Sequence, residues 1–134
     1  MKKGVLLIAS SLLVATSFAQ KKELKEIKKA IEKDNFSEAE RLLESNKRVA
    51  LSTQKSTADY YYLKGELVIK KALAGKDVAT SLKEASEALA EARKIEKKTP
   101  AELESLTANV ARLAADKGQE YYQKNDFKNA AIAF

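Results

Sequence analysis

Cysteine, histidine and tryptophan are absent from this 134-residue chain, proline occurs once and glycine four times. Without cysteine or histidine there is no Cys/His zinc site, no thiol nucleophile, no Ser-His-Asp triad and no disulfide framework. Metal or acid-base chemistry is left to carboxylates, lysine and tyrosine. The carboxylate pairs in the sequence, Glu38 with Glu40 and Glu102 with Glu104, stand two residues apart. On a helix such residues do not face each other, and both pairs sit near predicted helix starts, where acids are expected anyway. We therefore expect no enzyme, no cofactor and no metal site. The shortage of Gly and Pro, beside abundant Ala, Leu, Lys and Glu, excludes a many-stranded fold and predicts an all-α chain.

The chain carries 25 basic and 19 acidic residues, a net charge of +6. Its N-terminus has the layout of a secretory signal peptide: basic Met1-Lys2-Lys3, an uncharged apolar stretch from Gly4 to Phe18, then small Ser17 and Ala19 before a cut at Gln20. The apolar stretch is shorter than the roughly 20 residues of a spanning helix, so cleavage is expected over anchoring. No Cys follows the cut, which excludes a lipid-anchored lipoprotein. The Lys-Lys start and Phe-Ala-Gln end resemble export signals of Bacteroidota-type Gram-negative bacteria, and that resemblance implies a periplasmic or secreted protein. Such a chain meets no nucleic acid in ordinary duty and keeps no integral membrane segment once mature. Lysines 21, 22, 25, 28, 29 and 33 alternate with Glu23, Glu26, Glu32 and Asp34, the pattern of a solvated helix laced with i to i+4 pairs.

Periodicity after Gln20 predicts six helices and no strand. Leu24, Ile27 and Ile31 form one stripe over about residues 21–33. Asp34-Asn35-Phe36 breaks it, and Ser37 with Glu40 reads as a capping box for a second helix ending near Ser45. Residues 46–55 read as a loop. A third helix starts near Ser56 or Thr57, carries Tyr60, Tyr61, Leu63, Leu67, Val68 and Ala72, and stops at Gly75, suited to a left-handed C′ position. A fourth, capped by Asp77 or Ser81, has Leu82, Ala85, Leu89 and Ala92 at helical spacing. Thr99 at N-cap, Pro100 at N1 and Glu102 at N3 open a fifth, with Leu103, Leu106, Val110 and Leu113 inward. Asn125-Asp126-Phe127 breaks it, and a sixth begins at Lys128. The pairs span about 21–46, 56–97 and 99–134. Asn35-Phe36-Ser37 matches a glycosylation sequon, a coincidence in this setting.

The last pair resembles the tetratricopeptide repeat. Gly118, Tyr121, Asn125, Asp126, Phe127, Ala130 and Phe134 follow its order of a small helix A residue, an aromatic, a polar-aromatic turn, and an Ala and an aromatic on helix B. Small residues at Gly118 and Ala130 allow close helix approach, with Tyr121, Phe127 and Phe134 expected to fill the space beside them. Asp34-Asn35-Phe36 with Ala39 and Leu43 repeats the turn and helix B, although Ile27 stands where a small residue is expected. Gly65, Ala85, Leu89 and Ala92 give a middle unit with about three inserted residues. The resemblance implies a right-handed α-solenoid over residues 20–134. In that register Phe134 falls within a unit of about 34 residues, which leads us to expect a longer native chain.

The resemblance further implies an interaction scaffold that binds a peptide or protein partner in a concave groove lined by helix A. The groove positions correspond here to Asp59, Tyr62, Glu66, Ile69 and Lys70, and to Arg112, Ala115, Gln119, Tyr122 and Gln123. Aromatic and amide groups suit an extended peptide. The rival reading is a structural helical bundle or coiled-coil spacer of the cell envelope with no groove. The mid-helix glycines discriminate: a repeat uses Gly65 and Gly118 to seat the neighbouring helix, whereas a coiled coil only loses about 1 kcal/mol at each. On this reading Gly118→Leu is strongly destabilising.

Overall fold

The computed structural model describes residues 19–95 and 101–134. Within them the chain is all-helical: α1 covers residues 19–32, followed by α2 (Phe36–Ala50), α3 (Gln54–Leu73), α4 (Val78–Ile95), α5 (Ala101–Gln123) and α6 (Phe127–Ala133). Among the described residues there is no strand, and no helix is long and apolar enough to cross a membrane. Residues 1–18 of the expected leader, Thr99 and Pro100 lie outside the described residues, and so does the Glu102 side chain.

Three turns join the helices into hairpins, and all three stop the preceding helix in the same way. Asp34 (φ 54°), Gly75 (φ 77°) and Asn125 (φ 58°) each take the left-handed conformation. In each turn the next amide reaches back to the fifth residue before it: Asn35 N to Ala30 O at 3.0 Å, Lys76 N to Lys71 O at 3.0 Å, and Asp126 N to Tyr121 O at 2.9 Å. This is the Schellman arrangement, which satisfies carbonyls that a helix end would orphan. Gly75 therefore sits where it was expected. The outer hairpins extend the likeness into the next helix, because Asn35 accepts from Glu38 N at 3.4 Å and Asp126 from Asn129 N at 3.2 Å. The α2 cap is thus Asn35 and not Ser37, since the positive φ at Asp34 already turns the chain and places Asn35 half in the helix.

At Gly75 a Cβ would have no other atom within 4 Å, so Gly75→Ala meets only backbone strain. We expect a loss of about 1 kcal/mol in a denaturant melt. Asn125→Gly, at the equivalent place, should gain about 0.5 kcal/mol.

The expected loop at 46–55 is mostly helix. Ala50 is buried, Lys47 and Arg48 in the last turn of α2 complement its negative end, and Thr53 caps α3 by accepting from Ser56 N at 3.2 Å. Only residues 51–53 connect the two helices. The polar run Asn46-Lys47-Arg48 reads as a loop because its one inward contribution is Asn46, which is half-buried.

Helix α3 occupies the centre. It contributes Tyr60, Leu63 and Leu67 to a cluster with Ile27, Ile31, Ala39 and Leu43, and Val68, Ile69 and Ala72 to another with Leu82, Ala85, Leu89, Leu103 and Val110. Burial on two faces explains why α3 lacks a single apolar stripe. Tyr61 and Tyr62 pack against both clusters and join them. Hydrogen bonds from Gln20 to Val49 O and Ser52 set the start of α1 beside the end of α2, so these helices run antiparallel. Lys70 Nζ donates to Ile31 O at 3.0 Å and pairs with Asp34 at 3.0 Å, and Lys71 pairs with Glu40, which ties the end of α3 to the first turn. Among α2 to α6, each helix touches only its neighbours and the helix two along.

Candidate functional site

Helices α3 and α5 enclose a cleft of about 560 Å³. Its α3 wall is Glu66, Ile69, Lys70 and Leu73, a stripe at i, i+3, i+4 and i+7, and its α5 wall is Leu106, Asn109, Arg112, Leu113 and Asp116. Buried Ile69 with half-buried Leu106 and Leu113 makes an apolar floor. Leu73 stands on the rim at 68% exposure, and Asn109, Arg112 and Asp116 are exposed beside it. Such a surface offers apolar contact at its base and both donors and acceptors at its edge.

Four of the groove positions expected from the sequence, Glu66, Ile69, Lys70 and Arg112, meet in this cleft. Asp59, Tyr62, Ala115, Gln119, Tyr122 and Gln123 do not line it. Tyr62 is half-buried against the core. Tyr122 is exposed and packs edge-to-face on Phe127, with ring centroids 5.5 Å apart. Lys70 has a structural duty as well, since its ammonium is held by Ile31 O and Asp34. The α5 wall lies one to two turns nearer the start of α5 than the family register implies. The cause is the length of the α3–α4 hairpin: relative to the α5–α6 hairpin it has three extra residues before its left-handed turn residue and five after it, eight in all where about three were expected. Leu73 belongs to that insertion and could have been found as the next member of the Glu66-Ile69-Lys70 stripe.

The signature residues divide by size. Gly65, Ala85, Gly118, Ala39 and Ala130 are all buried, as close helix approach requires. A methyl at Gly65 would meet Leu89 at 2.7 Å, and one at Gly118 would meet the Phe134 ring at 2.7 Å, so each glycine seats a large residue of the following helix. Phe127 and Phe134, expected to fill space, are 57% and 75% exposed, and Tyr121 is half-buried. Phe36, the counterpart of Phe127, is half-buried beneath Lys76, whose ammonium lies 5.6 Å from the ring centre. Lys76, in the turn between α3 and α4, covers Phe36, whereas Phe127, met edge-on by Tyr122, stays mostly exposed.

Apart from Lys70–Asp34 and Lys71–Glu40, the ion pairs found among the described residues join side chains three or four apart on one helix. Glu120 accepts from Lys117 at 2.6 Å and Lys124 at 2.7 Å, which together hold its carboxyl down at about 2. Because the folded value is depressed, this stabilisation is fully present above the unfolded value near 4.5 and is lost as pH falls toward 2. Carboxyl NMR should find Glu120 titrating near 2, and Lys117→Gln should move it upward. Burial, then Glu44 and Tyr61, pushes the Tyr60 phenol up. Among the described residues no group of three or more acids is placed to hold a metal ion. No protein-family model, curated protein or solved structure matches the chain.

Proposed function

We propose that this chain is an exported α-solenoid segment of tetratricopeptide type, right-handed, that scaffolds protein interactions by holding an extended peptide between α3 and α5. The observation that carries the proposal is the cleft itself, which brings together Glu66, Ile69, Lys70 and Arg112, four of the ten positions expected from the sequence. The repeated Schellman turns, the paired glycine seats and helix contacts that reach no further than the helix two along support the repeat architecture. Both charge signs and the Asn109 amide on the rim suit a peptide backbone that needs donors and acceptors, and the apolar floor suits one or two of its side chains. The leader read in residues 1–19 supports a partner in the periplasm or outside the cell.

A random extended-peptide display library panned against the full chain tests this reading. The paired variant Leu73→Glu/Arg112→Glu changes only exposed side chains and should keep the parent melting temperature. We expect enriched peptides to bind the parent and to lose at least tenfold in affinity on the variant. Enrichment that yields no peptide, or peptides indifferent to the variant, would favour a structural spacer.

A further inference from the structure

A second cleft, of about 860 Å³, lies across α4, α5 and α6, away from the one just described. Leu89, Val110, Ala114, Ile132 and Phe134 line it with apolar surface. Its polar atoms are few and unevenly placed. Thr107 is already satisfied, donating to Leu103 O at 2.7 Å. All the charge comes from α4: Lys94 is paired with Glu91 at 2.5 Å, while Lys83 and Arg93 are exposed and make no ion pair among the described residues. Among the described residues Glu87 is the single acid lining the cleft, so its described rim is net positive.

We propose that this cleft docks an amphipathic helix of a partner protein, whose apolar stripe fills it and whose acidic residues face Lys83 and Arg93. Backbone chemistry selects a helix. The α4 and α5 walls are mid-helix segments whose amides and carbonyls are already bonded, and between the rim charges the floor is apolar, so an extended peptide would leave most of its main-chain groups unpaired along them. A helix satisfies its own backbone and needs only an apolar face. Lys83 and Arg93 are ten residues apart, roughly 15 Å along α4 at 1.5 Å per residue, so the complementary acids stand about three turns apart on the partner. This site is independent of the α3–α5 cleft, and the two stand or fall separately.

The test uses two fluorescent helical peptides of about five turns with the same Leu stripe, one bearing glutamates about three turns apart and the other lysines at those positions. Each is titrated at low salt against the full chain, against Lys83→Glu/Arg93→Glu, and against Lys25→Glu/Lys29→Glu, an equal charge change on the exposed side of α1. The proposal expects the acidic peptide to bind the parent at least tenfold more tightly than the basic one. That preference should reverse in the α4 variant and persist in the α1 variant, while Glu87→Gln tightens the acidic peptide. Circular dichroism melts confirm that the surface variants stay folded. Absence of binding, equal binding of both peptides, or a preference that survives the α4 reversal overturns the proposal. Displacement of both peptides alike by oleate, marking a cleft for acyl chains, overturns it too.

Discussion

Gly65→Leu is expected to lower the melting temperature by roughly 10 °C, the consequence of about 3 kcal/mol of overpacking in a chain of this size. A methyl placed on Gly65 would already stand 2.7 Å from Leu89 Cδ2 and 3.0 Å from its Cγ. Leu89 is 2% exposed and packed with core residues of α3 and α5, so moving it aside gives up buried contacts. Gly65→Ala separates the two terms, because the gain of about 1 kcal/mol in helix propensity opposes the clash. Leu89→Ala should partly rescue Gly65→Leu, giving a favourable coupling in a double-mutant cycle. Gly118→Leu is the instructive contrast. From the sequence it is expected to be strongly destabilising. In the structure its obstacle is the ring of Phe134, which is 75% exposed and free to rotate outward. Its cost should stay near 1 kcal/mol. A Gly65→Leu melt no lower than that of Gly118→Leu would refute this account of the two seats.

Ile31→Ala should cost about 3 kcal/mol, the usual range for emptying a fully buried aliphatic site. Ile31 has no exposed surface and lies among α1, α2 and α3, while its carbonyl accepts from Lys70. The variant asks whether α1 belongs to the cooperative unit. If it does, chemical denaturation shifts as a single transition and the amides of α2 and α3 lose protection together. A loss below about 1 kcal/mol, with α2 and α3 unaffected, would show that α1 unfolds on its own.

The helices and most of the inward residues were legible because period and burial agree: Ile27, Ile31, Leu63, Leu67, Leu82, Leu89 and Leu103 are all buried. So were the turns, through Asp34, Gly75 and Asn125, whose types tolerate positive φ. Two things were hidden. The end of α2 was obscured by polar residues on a helix that buries only Ala39, Leu43 and Ala50. The cleft wall on α5 was misplaced because a register counted from Gly118 assumes hairpins of equal length, and the α3–α4 hairpin is longer. Leu106 and Leu113 were read as core, and they are half-buried because the cleft opens between them and α3. Sequence pattern reports which side of a helix is apolar, but not whether that side meets a neighbour or a gap.

The reach of the helix contacts has a kinetic corollary. With no helix from α2 to α6 touching one more than two places away, chain closure over long loops is never required, and each hairpin can form before the next has been ordered. Low sequence separation of contacts of this kind favours fast folding. It also lets order spread by nearest-neighbour steps. Unfolding need not be uniform either. Amide exchange should be slowest in α3 and α4, which pack against each other most extensively, and fastest in α6, whose seven residues lean on α5 and one side of α4. The molecule would then melt by fraying inward from its last hairpin toward the tyrosines that join its two cores.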